Sequence, residues 1–398
     1  MIPSSHPFPG LSLVIAFLIV LHSCSAPTDQ DVFVFNPAKD YPEFPLSLSD
    51  VAEVRYVKLG GEEEGIFLTT LWDWGLYIDD LRGRIFADNY QIGVMEFDIN
   101  GNFIRKLGRL GNGPGEYATT FFYVQPETER VGVYNLGQNK FLMYDYDGNY
   151  HKDEGIEADI FISSSSSFQF YGDCLVAFNP NSAVFDESSG RTNITGRRTL
   201  ELFSLSGKKD RTIKDMHYEK PIVRPRSWGG GGQNQMTTGY LFPSYSGMMV
   251  STYRCDTTYV IGNDFRWRPF LVNTRHNGVQ EGCLYPVAET QDYLFLCHKN
   301  NLREGQVYYF AIDKKSRQAY KITEDRSNPL PGCLQDKVQV RNEGLTKNAD
   351  YRFWEFHPDE LKGECYDYLP PELKTLVDQC DEGSNPIYMI IRFRSGRN

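Results

Sequence analysis

The sequence predicts an all-β fold, and three observations support that prediction. Aromatic residues make up 14% of the chain, with 25 Tyr and 26 Phe, and these residue types favour strands. The 35 Gly and 21 Pro supply many tight turns between short strands. A strand–turn–strand unit also recurs at constant spacing. Together these features indicate one large domain of repeated β-sheets.

The repeat is clearest in two segments, residues 84–103 and residues 131–150, which lie 47 residues apart. Five positions keep their register between the copies, namely Phe86 and Val133, Asp88 and Asn135, Phe97 and Tyr144, Gly101 and Gly148, and Phe103 and Tyr150. Chance rarely preserves five such positions. The two segments are therefore predicted to be equivalent structural units.

Each unit is predicted to contain a β-hairpin. Asn100-Gly101 and Asp147-Gly148 are typical of a type I′ turn, which needs two residues with positive φ. Ser206-Gly207 is a looser third copy. In a fourth copy, Lys314 to Arg317 replaces the glycine turn.

Units of this size indicate a β-propeller. A four-stranded antiparallel sheet of roughly 45–60 residues cannot bury both faces alone, whereas radial stacking buries both faces and leaves short edges. The strand-rich part of the chain then accommodates about six blades. Their expected spans are 65–110, 118–156, 160–215, 236–273, 280–324 and 330–395.

The chain ends complete this predicted fold. The alternating run Val54 to Leu59 precedes the first full unit, and we expect it to pair with the last blade. Pro370 to Gln379 carries the best helix signal, with Pro at its start and apolar residues along one stripe. A final strand is predicted over Ile387 to Phe393.

The first 24 residues predict an export signal. Leu11 to Leu21 is apolar except for Ser12, far short of the ~20 residues of a transmembrane helix. It ends at Leu21-His22-Ser23-Cys24, which resembles a bacterial lipobox. We expect a signal peptide over 1–23, a lipidated Cys24 with a linker over 24–45, and the six-bladed propeller over 46–398. The alternative is an ordinary signal peptide with an incidental cysteine.

Charge and cysteine spacing exclude several classes of protein. The net charge of −11 would repel phosphate backbones, so we expect no nucleic-acid partner. No two cysteines have the C-x-x-C spacing of a zinc or redox site. Most of the seven cysteines after Cys24 are expected to be buried thiols, and the sequence leaves a Cys365–Cys380 disulfide open.

Several motifs resemble those of a known group of proteins. Gly83 to Asp88, running into Val94 to Leu107, is similar to an NHL-type propeller repeat. Gly108 to Tyr117 resembles the G-R-x-G-x-G-P-G-E-Y stretch of the six-bladed β-propeller lipoproteins common in Bacteroidetes. Shorter similarities occur in the same order at Arg55 to Leu59, Asp256 to Tyr259 and Asn385 to Tyr388. The resemblance implies export, lipidation and six blades, and it supplies no catalytic residue.

Gly108 to Tyr117 is also the main candidate for a ligand site. It is not a phosphate loop, because no Gly-Lys-Ser/Thr follows and Pro114 removes a backbone N–H. As a connection between two blades, it would lie where ligands enter a propeller. The candidate ligand-binding residues are Arg109, Asn112, Glu116, Tyr117 and, in a Gly-rich insertion, Trp228. Alternatively, Arg109 and Glu116 only fix the loop, and Trp228 belongs to an inert connector.

Motifs for catalysis are missing from the sequence. It contains no G-x-S-x-G elbow and no H-E-x-x-H helix. The histidines are expected to be packed or on the surface, and Asp79-Asp80 to be a solvated turn pair. We therefore predict no metal, no cofactor and no catalytic residue.

The predicted function is binding at the bacterial envelope, in the periplasm or at the outer-membrane surface. The protein would be held by its lipid anchor and would recognise a glycan, a peptide or an envelope protein. A propeller lyase or hydrolase is the alternative, because carboxylates from different blades can meet in a central channel without any signature in sequence spacing.

Overall fold

The computed structural model of the protein describes residues 32–394. Within that range, the structure does not describe residues 69–70, 72–74, 119, 136–137, 139, 153–155, 158–167, 172–173, 180–182, 187–190, 195–196, 205–208, 218–221, 226–239, 252–255, 275–282, 300–306, 324–347 and 364. Strands dominate the fold and helices are few and short, which confirms the all-β prediction.

Two antiparallel sheets follow the N-terminal strands β1 (Phe33–Phe35) and β2 (Ala52–Lys58). Sheet I contains β3 (Leu76–Asp79), β4 (Arg84–Asn89), β5 (Gly93–Asp98) and β6 (Phe103–Leu107). A parallel pair then forms between β7 (Arg109–Leu110) and β8 (Glu116–Tyr117). Sheet II contains β9 (Phe122–Gln125), β10 (Arg130–Asn135), β11 (Lys140–Asp145) and β12 (Ile156–Glu157).

The central part of the chain forms sheets III and IV. Sheet III contains β13 (Phe168–Tyr171), β14 (Cys174–Asn179), β17 (Arg197–Ser204) and β18 (Lys209–His217). A separate three-stranded sheet is formed by β15 (Ala183–Asp186), β16 (Arg191–Ile194) and β19 (Ile222–Pro225). Sheet IV contains β20 (Tyr240–Ser244), β21 (Gly247–Ser251), β22 (Thr257–Ile261) and β23 (Trp267–Asn273), with β1 added in parallel beside β23.

The C-terminal part forms sheets V and VI. Sheet V contains β24 (Cys283–Glu289), β25 (Tyr293–Lys299), β26 (Val307–Asp313) and β27 (Ala319–Ile322). The described part of sheet VI contains β28 (Tyr351–Phe356), β29 (Ile387–Phe393) and β2. Among the described residues, the helices are α1 (Leu48–Val51), α2 (Pro358–Leu361) and α3 (Pro371–Asp378), with single 3₁₀ turns at Glu62–Glu64, Pro126–Thr128 and Tyr366–Tyr368.

The expected pairing of the two chain ends is confirmed. Strand β2 runs antiparallel to β29, with Ala52 opposite Phe393 and Lys58 opposite Ile387. The helix predicted after Pro370 is α3, which begins with Pro371 and buries Leu373 and Val377.

Residues 33–44, assigned above to the linker, belong to the packed fold. Strand β1 lies beside β23 with Phe33 opposite Leu271, and the Phe44 N–H donates to the Lys321 carbonyl at 2.9 Å. Phe33, Phe35 and Phe44 are all buried. Their aromatic rings supply the apolar area that holds this segment against sheets IV and V.

The hairpins form at the predicted places, but the type I′ turns are wrong. Gly101 has a φ of +90°, whereas Asn100 is not among the residues with positive φ. The Gly101 N–H donates to the Asp98 carbonyl, and the Asp98 N–H donates to the Asn102 carbonyl. This pattern is a three-residue loop with a glycine bulge, and Gly148 repeats it in sheet II. Ser206-Gly207 lies outside the described residues.

An aspartate explains the observed turn. Asp98 Oδ1 accepts the N–H groups of Asn100 and Asn102, both at 2.9 Å. In sheet II, Asp145 Oδ1 accepts the Asn149 N–H at 2.8 Å. These bonds fix the backbone in the three-residue form, and they identify an Asp-x-x-Gly-Asn turn.

Buried clusters join the sheets in pairs. Sheets I and II share a cluster that includes Phe86 and Val133, and sheets II and III share one that includes Phe141 and Leu175. The remaining clusters lie between III and IV, IV and V, V and VI, and VI and I. In the described part of the chain, each of these sheets therefore contributes side chains to two clusters.

Candidate functional site

The connection between sheets I and II, residues 108–117, is the candidate site derived from the sequence. Its two ends pair in parallel, with Arg109 opposite Glu116 and Leu110 opposite Tyr117. The Gly111 N–H also donates to the Tyr117 carbonyl at 3.0 Å. The connection is therefore a closed loop.

Tyr117 anchors this loop in the core. Its side chain is fully buried, and its hydroxyl donates to the Leu107 carbonyl at 2.7 Å and accepts the Val94 N–H at 2.9 Å. Burial raises the pKa of the Tyr117 phenol to about 12. Gly93 leaves room for this hydroxyl, because a Cβ at that position would lie 2.7 Å from it.

Glu116 closes the loop from the other side. Its Oε2 accepts the Gly113 N–H at 2.7 Å, and its Oε1 accepts a hydrogen bond from Arg109 Nε. The bond from the Gly113 N–H, followed by that from Arg109, lowers the pKa of Glu116. At Gly111 a Cβ would lie 2.8 Å from the carboxyl carbon of Glu116, so glycine lets this carboxylate pack against the loop backbone without a shift of its side chain.

Sheet II fixes the remaining part of the loop. The Tyr144 hydroxyl donates to the Gly115 carbonyl at 2.7 Å, and Asn135 Nδ2 donates to the Glu116 carbonyl at 3.0 Å. At Gly108, a Cβ would lie 2.5 Å from the Tyr144 hydroxyl. The loop is thus held rigidly between two sheets, and its glycines serve close packing.

The tip of the loop is exposed to solvent. The Arg109 side chain is 80% exposed, and Asn112 is also exposed. Because Val94 lies opposite Leu107, the turn Asn89–Gly93 is at the same end of sheet I. That turn presents Tyr90, which is 56% exposed. We call Tyr90, Arg109 and Asn112 the loop-tip surface.

The sequence-predicted residues therefore divide into two groups. Arg109 and Asn112 are exposed at the surface, although Arg109 also bonds Glu116, whereas Glu116 and Tyr117 hold the loop in place. Trp228 and Cys24 lie outside the described residues. Sequence reasoning missed Tyr90, which only the pairing of β5 with β6 brings to the same end of the sheet.

A cavity of about 190 Å³ lies where sheet VI meets sheet I. We call it the junction cavity, and its walls are Glu53, Val54, Arg55, Asp80, Tyr351, Ile390 and Arg392. These residues come from β2, the turn after β3, β28 and β29. Their wide separation along the chain explains why no sequence motif indicated the cavity.

Asp80 is the centre of the polar contacts in the junction cavity. Arg55 Nη2 lies 3.3 Å from its Oδ1, and Arg392 Nη1 lies 3.3 Å from its Oδ2. The Tyr351 hydroxyl also donates to Oδ2. Burial, then this bond to Asp80, raises the pKa of Tyr351.

The prediction of a solvated Asp79-Asp80 pair is wrong for Asp79. Its side chain is buried, accepts the Tyr146 hydroxyl at 2.9 Å and pairs with Arg82 at 3.3 Å. Asp79 is therefore held by protein partners, whereas Asp80 pairs with arginines and keeps a side chain that is 33% exposed.

Within the described residues, no group of three or more His, Cys, Asp or Glu side chains is arranged to hold a metal ion. His151 lies 2.9 Å from Asp145, and His298 stacks on Tyr308. Cys365 and Cys380 are both thiols. The helices found between residues 32 and 394 are too short and too polar to cross a bilayer.

The sheet arrangement described above defines the structural class of the protein. The chain is an all-β protein of small, mostly antiparallel sheets, with a hydrogen-bonded connecting loop between its first two sheets. The protein belongs to the family described as Domain of unknown function (DUF4934), which matches residues 32–392. None of the curated proteins compared with the chain matches it.

Several solved structures are similar to the chain. A protein named "Putative exported protein" from Bacteroides fragilis is 16% identical, with a TM-score of 0.60 over 91% of this chain and 99% of that one. A DUF4221 family member from Bacteroides vulgatus is 10% identical, with a TM-score of 0.44 over 87% and 99% of the two chains. The Cps50 (Swd1) β-propeller domain of Myceliophteria thermophila is 11% identical, with a TM-score of 0.34 over 64% and 87%. At 16% identity, the similarity to the Bacteroides fragilis protein concerns the fold alone.

Proposed function

We propose that the protein is a six-bladed β-propeller lipoprotein that acts as a binding module at the bacterial cell envelope. The observation that best supports the six-bladed arrangement is the order in which buried clusters link the sheets. They link sheets I to II, II to III, III to IV, IV to V, V to VI and VI back to I. Radial packing of six sheets accounts for this cyclic order, because each sheet then covers both faces with its two neighbours.

Export and lipid attachment are supported by the N-terminal sequence. An apolar run of signal-peptide length ends just before Cys24. The similar Bacteroides fragilis structure is named as an exported protein, which agrees with this part of the proposal. The lipid on Cys24 would hold the propeller at a membrane surface.

Binding is assigned to the loop-tip surface. Tyr and Arg, together with Trp, are enriched at the energetic centre of protein interfaces, and Tyr90 and Arg109 are both exposed here. The loop that carries Arg109 is held by Tyr117, Glu116 and Tyr144, so little backbone conformational entropy is lost there on binding. Exposed tips suit a peptide or protein partner better than an enclosed small molecule.

The experiment compares Tyr90→Ala and Arg109→Ala with the wild type. The purified protein is used to capture partners from solubilised envelope fractions, and affinity for the captured partner is then measured. We expect each substitution to weaken binding at least about tenfold, because truncation of an interface anchor commonly has this effect. Tyr245→Ala, in an exposed turn of sheet IV, is the matched control and should bind as the wild type does.

Two results would contradict the proposal. One is a partner that binds both variants as tightly as it binds the wild type, provided that all proteins unfold at the same temperature. The other is the absence of captured protein together with binding to a glycan array, which would replace the peptide or protein partner with a carbohydrate.

A further inference from the structure

The junction cavity combines groups of both charges around an apolar floor. Glu53 and Arg392 lie directly opposite each other on β2 and β29, and Arg55 lies two residues further along the same face of β2. Val54 and Ile390 contribute apolar atoms to the walls. Acidic and basic groups thus alternate within a space of about 190 Å³.

The two arginines retain hydrogen-bond donors for a ligand. A guanidinium carries five N–H donors. Among the described residues, Arg55 contacts only the Asp80 carboxylate, through Nη2. Arg392 pairs with Asp80 through Nη1 and with Asp350 through Nε at 3.5 Å. Both side chains line the cavity, so their remaining N–H groups can bind a carboxylate.

Glu53 supplies an acceptor at the same opening. Its side chain is 64% exposed, and its described ion-pair contact is with Arg394 Nε, at the long distance of 3.8 Å. A carboxylate in this position can accept hydrogen bonds from an ammonium group. The cavity therefore offers separate places for a negative and a positive group.

Other ligand classes fit these walls less well. A sugar would need an exposed aromatic face, but Tyr351 is only 4% exposed and the Arg392 guanidinium lies 5.6 Å above its ring. A polyanion would be repelled by Asp80 and Glu53, and a metal cation by Arg55 and Arg392. A ligand with one charge of each sign can direct its carboxylate to the two arginines and its ammonium group to Glu53.

We infer that the junction cavity binds a small zwitterion, namely a free α-amino acid or a dipeptide. The ligand carboxylate contacts Arg55 and Arg392, and the ligand ammonium contacts Glu53. This site shares no residue with the loop-tip surface, so it goes beyond the proposed function and either can fail without the other.

The test uses isothermal titration calorimetry on the full chain, with L-alanyl-L-alanine as the probe. We expect saturable binding of this dipeptide at millimolar or lower concentration. N-acetyl-L-alanine methylamide, which lacks both charges, should not bind. Stronger binding of inorganic phosphate or glucose than of the dipeptide would overturn the inference, as would equal binding of the capped and uncapped compounds.

Two substitutions test the contacts of the ligand carboxylate and of the ligand ammonium group separately. Arg55→Gln should weaken dipeptide binding at least about tenfold, through loss of a charge-assisted hydrogen bond. Glu53→Gln should weaken binding of the dipeptide but not of N-acetyl-L-alanine, which has no ammonium group. Arg266→Gln, at a site that is 81% exposed and outside the cavity walls, is the matched control.

The variants also keep the inference testable if one of them unfolds. Arg55 pairs with Asp80, so thermal unfolding of Arg55→Gln is measured first. Should that variant fail to fold, the decision rests on Glu53→Gln, whose exposed side chain contributes little to stability. Unchanged dipeptide affinity in a folded variant of either residue would overturn the assignment.

Discussion

The side chain of Tyr117 fixes the position of the whole candidate loop, residues 108–117, against sheet I. Its hydroxyl is a donor to Leu107 on β6 and an acceptor for Val94 on β5, while its backbone belongs to β8. Both partners are buried main-chain groups. Their hydrogen bonds therefore depend on this single phenol, because water does not reach them.

Removal of the Tyr117 hydroxyl should destabilise the fold measurably. We expect Tyr117→Phe to lower the free energy of unfolding by about 1–3 kcal/mol, since it leaves two buried main-chain groups without their partner. Urea denaturation measures the change. Tyr90→Phe, which removes an exposed hydroxyl, should stay within about 0.5 kcal/mol of the wild type. Equal effects of the two substitutions would show that the buried hydroxyl bonds contribute nothing.

At the level of elements, the turn between β5 and β6 supports the neighbouring strand β2. The Gly101 carbonyl accepts the Gly60 N–H at 2.8 Å, just beyond the end of β2. Gly101 combines a φ of +90° with close approach to the Lys58 carbonyl, which a Cβ would strike. This one glycine is therefore constrained by both backbone conformation and packing.

A comparison of two glycines separates these two constraints. Gly65 has a φ of +74° but no atom within 4 Å of its would-be Cβ, so Gly65→Ala should cost only the left-handed conformation, about 1 kcal/mol. Gly101→Ala should lower the free energy of unfolding by about 3 kcal/mol or more, because the Lys58 backbone must also move. Chemical denaturation of both variants tests this. Similar costs would mean that the close contact relaxes freely.

Sequence patterns predicted the elements better than the contacts between them. The final strand and α3 follow from apolar periodicity and proline placement, which are local properties. The turn type was missed because the Asp98 carboxylate, and not the Asn-Gly pair alone, selects the backbone conformation. The junction cavity could not be predicted, since Arg55, Asp80 and Tyr351 meet only after sheets I and VI have packed together.

At the scale of the whole molecule, the N-terminal strand β2 and the C-terminal strand β29 belong to one sheet. Strand β2 pairs with β29 along seven residue pairs, and their side chains enter the clusters shared with sheets V and I. Asn385 strengthens the same junction, because its Oδ1 accepts the Leu68 N–H at 2.7 Å and its Nδ2 donates to the Ile66 carbonyl. The junction thus couples the two ends of the chain.

Removal of the N-terminal strands should disrupt the entire fold. We expect a chain that begins at residue 60 to lose its cooperative thermal transition and to aggregate, because β29 then presents an apolar, unpaired edge. Circular dichroism and size-exclusion chromatography measure the two effects. A chain that begins at residue 32 keeps β1 and β2 and should unfold as the full chain does. A soluble, cooperative protein starting at residue 60 would contradict the coupling.

The pairing of β2 with β29 also sets an order of events during synthesis. Leu68 and Asn385 are hydrogen-bonded although 317 residues separate them, so this contact has to wait until nearly the whole polypeptide has left the ribosome. Sheets I, II and V are built from strands that follow one another along the chain and can mature earlier, whereas sheet VI needs both β2 and β29. High contact order of this kind slows folding and prolongs the lifetime of partly folded chains. We therefore expect refolding from denaturant to be slowed by the long-range closure of sheet VI.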